Sequence, residues 1–205
     1  DLNNHGQEVR ALSGAGHVSL GSATLTVGGV NASSTFAGTI DGTGGLAKIG
    51  TGTFTLAGTS SYTGPTQVFS GGVLQAGAAN AFAARSAHEV NSSATLDLND
   101  FDQTIGSLFG AGTVKLGSAT LTTGGNTDDP SFNGTIEGSG SLVKVGSSFF
   151  GLLTAGTWTG GLVVKQGHVG IGHDQALGTG TLTLDGGVVQ ATANALAIAN
   201  AIHVT

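Results

Sequence analysis

Residues 14–26 read GAGHVSLGSATLT, and residues 110–122 read GAGTVKLGSATLT. When residues 1–50 are laid over 97–146 without a gap, twenty-seven of the fifty positions are identical. The match weakens downstream but keeps Phe54 on Phe150, Leu56 on Leu152, Tyr62 on Trp158 and Val73 on Val169. Self-similarity at a fixed spacing of 96 residues is the signature of a repeat architecture, in which one unit buries its apolar surface only against the next. No linker, proline or charge run marks the junction near Asn91–Thr95, so residues 1–205 read as a single continuous stack. Its units are 1–96 and 97–192, and a further one begins at 193–205. Asp1 aligns with Asp97, inside an alternating run, so the chain is expected to be a fragment that starts in mid-strand.

Within a unit the rhythm is strand and turn. Ala23–Val27, Thr53–Leu56, Thr95–Asn99 and Gly180–Asp185 alternate polar and apolar residues with period two. Leu25, Val27, Phe54, Leu56, Leu96, Leu98, Leu182 and Leu184 therefore share an inward face, with Thr, Asp and Asn between them facing water. The 38 glycines suit a chain that bends often and would weaken helices by roughly 1 kcal/mol each relative to Ala. With two prolines and no G-X-Y period, the composition is not collagen-like. A β-sandwich and a parallel β-helix compete for such short strands. The uninterrupted duplication favours an all-β, right-handed parallel β-helix with three short strands per coil. At about 24 residues per coil, a unit would hold four coils and the chain roughly eight to nine. On that count, equivalent residues of the two units share one face.

Charge removes several functions. Six basic and twelve acidic residues give a net charge of −6, and the Lys and Arg residues are scattered singly. Nucleic-acid binding requires a clustered basic footprint, and docking to anionic membranes a polybasic one; neither is present. No run is long and apolar enough to span a bilayer as a helix.

The stretch GTGGLAKIGTGTFTLAGTSSYTGPTQVFSGGVLQAG, residues 42–77, closely resembles the autotransporter-associated β-strand repeat. Its features are a glycine-rich bend, Leu-x-Lys, Gly-x-Phe-Thr-Leu, Tyr-Thr-Gly and Thr-x-Val. The second copy, 138–172, departs from this at Ser147-Ser-Phe-Phe150 and carries Trp158 for Tyr. Flanking segments also resemble the passenger of a type V secreted autotransporter. The resemblance implies a right-handed β-helical stalk of a Gram-negative bacterium, exported through the periplasm and outer membrane and located at the cell surface or outside the cell. It implies the chain's own C-terminal outer-membrane barrel as one partner, with identical stalks on neighbouring cells, or a host surface or matrix, as others. The expected role is non-catalytic, in adhesion, autoaggregation or biofilm formation and in driving folding after translocation. The alternative is a scaffold for an exported protease or esterase domain lying outside this segment.

Candidate chemistry is sparse. The chain lacks G-x-S-x-G, HExxH, a Walker loop and G-x-G-x-x-G, and it has no cysteine. His173-Asp174 is the one adjacent His/Asp pair and reads as a solvated turn. His5, His17, His88, His168 and His203 are scattered; His17 and His5 become Thr113 and Phe101 in the other unit, as a scaffold permits. Asp97, Asn99, Asp100 and Asp102 offer oxygens of the kind Ca²⁺ takes, but lack the glycine-rich nonapeptide of calcium rolls; polar strand and loop positions explain them. Tyr62 and Trp158 sit at matched bends, where plugging the core outweighs stacking on sugars. Paired threonines at Thr24/Thr26, Thr53/Thr55, Thr120/Thr122 and Thr181/Thr183 are not spaced by multiples of one coil, so a flat threonine array is not expected. No catalytic, cofactor-binding or metal-binding residue is assigned, and no small-molecule cofactor is expected.

Overall fold

A computed structural model describes residues 1–69 and 71–205. Every paired strand among them is parallel to its neighbours, and no helix forms. The polypeptide winds around three walls. The first is a ten-stranded sheet running from Gln7–Val9 to Val188–Ala191. The second has six strands, from Ser34–Phe36 to Thr135–Glu137. The third begins with the pair His17–Ser19 and Thr39–Asp41, and continues as six strands from Gln103–Thr104 to Ile202–Val204. Parallel pairing joins equivalent positions of successive turns, so each strand is two to four residues long and turns at a corner before the next wall.

The alternation expected from the sequence sets the inside of the tube. In the first wall, Val27, Lys48, Val68 and Val90 stack in register, and in the second Phe54, Leu74, Leu96, Val114 and Ile136 do the same. Leu121, Leu142, Leu162 and Leu182 line the third. All but Lys48 are apolar, and all are buried. Of the eight inward positions expected from the sequence, Leu184 alone is half-buried; the others are closed from solvent. Leu and Val rows of this kind supply most of the stabilisation, about 25 cal/mol for each Å² of apolar surface removed from water.

The coil is shorter than expected. Register partners Gln7, Leu25, Leu46, Thr66 and His88 follow one another at 18, 21, 20 and 22 residues. Ten strands in the first wall give about ten turns, not eight to nine. This changes the meaning of the duplication. Leu25 lies in the first wall and its counterpart Leu121 in the third; Phe54 lies in the second and Phe150 in the first; Ile40 lies in the third and Ile136 in the second. Ninety-six residues thus span four turns and two thirds of another, so equivalent residues occupy different faces, contrary to the sequence expectation. Corner length is responsible, because each turn needs only three short strands and tight bends.

Those bends are duplicated in detail. Asn3 and Asn4 hold left-handed φ values of 49° and 62°, and Asn99 and Asp100 hold 49° and 64°. Asn and Asp tolerate this region better than other side chains because their carbonyl oxygen hydrogen-bonds locally. Asn4 Oδ1 accepts from the Ser22 amide at 2.8 Å, and Asp100 Oδ1 accepts from the Ser118 amide at 2.7 Å. Elsewhere a corner is so close to the turn below that no side chain fits. A Cβ on Gly38 would run into the carbonyl oxygen of Gly16, and one on Gly134 into that of Gly112.

Candidate functional site

The adjacent pair His173-Asp174 makes two separate turn contacts. His173 Nδ1 accepts from the Gln175 amide at 3.0 Å, while the Asp174 carboxylate accepts from Ala197 N at 2.8 Å, one turn further along. A His–Asp pair that the sequence reading missed lies in the third wall. His17 Nε2 is 3.4 Å from Asp41 Oδ2, and its Nδ1 is 2.8 Å from Thr39 Oγ1. Register brings these together, since Ser19 opposes Asp41 across adjacent turns, but 24 positions of sequence separate them. Both side chains are exposed, at 55% and 44%, so the pair is a weak surface contact.

The acidic cluster is occupied by the chain itself. Asp97 Oδ1 accepts from the Asn99 amide at 2.9 Å, and its Oδ2 accepts from Gln75 Nε2 at 3.0 Å. Asp100 accepts from Ser118 N and Oγ, and Asp102 from the Thr120 amide at 2.7 Å. These contacts to Ser118 hold the Asp100 carboxyl below the usual aspartate range. Next to them runs an outward ladder in the second wall: Thr55, Gln75, Asp97, Lys115 and Glu137 stand in register. Thr55 donates to Gln75 at 3.0 Å, and Lys115 and Glu137 approach to 3.9 Å. An open groove of about 470 Å³ lies over Asp97, Asn99, Asp100, Lys115 and Glu137. Its carboxylates are turned to backbone and ladder partners rather than toward a common point. Among the described residues, no three His, Asp or Glu side chains converge as ligands would.

Tyr62 and Trp158 are 0% and 1% exposed and so plug the core. Tyr62 Oη is 2.7 Å from Thr66 Oγ1; Thr66 Oγ1 is 2.8 Å from Ser86 Oγ, which donates to Gly64 O at 2.7 Å. Burial raises the Tyr62 phenol far above its usual value, so it remains a neutral donor or acceptor. Trp158 Nε1 donates instead to Gly161 O at 3.3 Å.

The structure adds two residues that sequence reasoning did not single out. Lys48 and its counterpart Lys144 are closed from solvent, at 1% and 0% exposure. Lys48 Nζ donates to Ile49 O and Gly50 O at 2.6 and 3.0 Å; Lys144 Nζ donates to Val145 O and Gly146 O at 2.6 and 2.8 Å. Burial lowers both ammonium pKa values, an effect that Asp129 partly opposes at Lys144. The signal was present in the Leu-x-Lys of both copies, whose lysine falls on the inward phase of its strand.

The passenger-associated-transport-repeat family matches residues 46–76. That segment runs from buried Leu46 through Lys48, Phe54, Leu56 and Tyr62 to Leu74, crossing the first and second walls twice. The chain is 45% identical over 192 residues, 90% of its length, to the adhesin BmaC autotransporter of Brucella suis biovar 1 (strain 1330). It spans only 5% of that protein. No solved structure matches it. The repeat, the β-solenoid and this homology support an autotransporter passenger segment that carries a passenger-associated transport repeat.

Proposed function

We propose that this chain is a non-catalytic stalk segment of an autotransporter passenger, displayed on the surface of a Gram-negative cell, where it contributes to adhesion. The observation that carries this reading is its 45% identity, over 90% of the chain, to a protein named as an autotransporter adhesin. The geometry supports it. A parallel stack holds whatever it bears away from the cell, and its flanks present Thr, Gln, Ser and Asn rather than converging catalytic groups. The autotransporter relation implies a C-terminal outer-membrane translocator as partner. Further partners are identical stalks on neighbouring cells, or a host surface or matrix, met through many weak polar contacts of about 1 kcal/mol each. With few charged residues involved, that contact depends weakly on salt.

Cells displaying the full-length parent are expected to clump or adhere more than cells lacking it, with little change between low and high salt. Unchanged adhesion, together with turnover of a polysaccharide, ester or peptide by the purified parent, overturns this reading.

A further inference from the structure

His88 lies inside the first wall. It is 0% exposed, between Thr66 and Leu108 of the neighbouring turns, with the Phe82 ring centroid 5.8 Å away. Its Nδ1 is 3.0 Å from Ser86 O, which only accepts, so Nδ1 carries the proton and Nε2 is left as a bare acceptor. Among the described residues no polar atom reaches Nε2. His88 pairs with Thr66, whose duplicate Leu162 pairs with Leu182, so the equivalent position of the second unit is a leucine and the fold does not need a histidine there. A proton on Nε2 would create a cation with an unpaired N–H in an apolar interior.

The surroundings supply no compensating charge. Toward His88, the preceding turn presents Thr66, bonded to the neutral Tyr62 phenol, and the following turn presents Leu108. Of the nearby charged groups, Glu89 occupies the outward phase of its strand and is bonded to Gln67, Arg85 is exposed, and Asp128 is exposed and bonded to Ser107 Oγ. Burial pushes the His88 imidazole down to about 4.

We propose that His88 is an acid-sensitive point in the stack, at which protonation loosens the turns around Ala87–Val90 while turns elsewhere stay closed. The sign follows from linkage. The folded chain binds this proton less tightly than the unfolded chain, whose histidine titrates near 6.5. The His88 contribution is therefore complete above about pH 6.5, falls as pH drops, and levels off near pH 4. Between pH 7 and pH 5 the opening equilibrium around this strand should rise on the order of 20-fold. Most carboxylates are still ionised in that window, which separates the effect from general acid unfolding.

The test is amide hydrogen exchange at pH 7 and pH 5, corrected for the intrinsic pH dependence of exchange. Wild type should show the extra opening in Thr66–Val68, Ala87–Val90 and Ser107–Gly110, and not in the third-wall strands Ser141–Lys144 and Leu162–Val164. His88→Leu, copying the second unit, should abolish it; His88→Gln, which keeps a donor for Ser86 O without titrating, serves the same end should the leucine variant fold poorly. Direct titration of the wild-type imidazole by NMR completes the test. A pKa near 6.5, or local opening that persists in either variant, overturns the proposal.

Discussion

A lysine ammonium donating to the two carbonyls that follow it is a corner brace, and this chain uses it twice. Ile49 O and Gly50 O turn toward Lys48 Nζ at a bend the neighbouring turns close over, as Val145 O and Gly146 O do at Lys144. The side chain's stem packs inside while its head satisfies oxygens that water would otherwise have to reach. Replacing Lys48 with Met keeps the stem and removes the donors, and a charge-assisted bond of this kind contributes about 2 kcal/mol. Lys48→Met is therefore expected to lower the unfolding free energy by about 2 kcal/mol in urea titration. Lys144→Met should cost a similar amount, and the pair should add to within about 0.5 kcal/mol, because no contact links the two corners. A cost below about 0.5 kcal/mol for both would show that water replaces the ammonium without loss.

At the scale of the strand, side-chain direction decides everything. Within Thr53–Leu56, Leu56 points inward at 0% exposure between Phe36 and Ala76 of the adjacent turns, whereas Thr55 points outward in the polar ladder. Leu56→Asp places an unpaired carboxylate in the core and should cost about 4 kcal/mol or more. In the full-length parent this is expected to reduce surface display sharply, because a stack that forms turn upon turn stalls at a turn that cannot close. Thr55→Asp, one position away and on the opposite face, should leave display near wild type. Equal display of the two variants, measured by antibody labelling of intact cells, would remove any role for this segment in folding outside the cell. The strands themselves were legible in the sequence, since alternation is a local signal. The burial of His88 and Lys48 was not, because even where phase points a polar residue inward, as the Leu-x-Lys of both copies does, it looks the same in sequence whether its turn is closed over or open.

Over the whole molecule, the repeat advances by four and two-thirds turns, so each unit presents its residues rotated by one wall relative to the unit before. An outward residue copied from unit to unit faces a new direction each time, and three such units would be needed to bring it back. Distances test this directly, and the chain has no native cysteine to confuse spin labels. Thr26 and Phe109 stand on one outward row of the first wall, linked through Ala47, Gln67 and Glu89. Four steps of about 4.8 Å put them about 19 Å apart. Thr122, the duplicate of Thr26, lies on the third wall, and its separation from Thr26 should exceed about 22 Å because a lateral displacement adds to the axial one. A shorter distance to Thr122 than to Phe109 would restore a repeat that keeps its faces.

That the chain is a stack of short strands, that the stack is duplicated, and which apolar residues line it can all be read from the order of residues alone. Period-two alternation and self-similarity are carried by neighbouring residues and by exact spacing, both visible in one dimension. That order also carries the corner chemistry, since Asn3-Asn4 and Asn99-Asp100 are residues suited to left-handed bends. The length of a turn, and with it the wall each residue occupies, emerges from the pairing of one turn with the next. That length is the sum of three strands and three corners, and a few residues' difference, 18 to 22 in place of 24, rotates the second unit by a whole wall. The same pairing settles which polar side chains are sealed inside, because burial depends on what the turns above and below place against them.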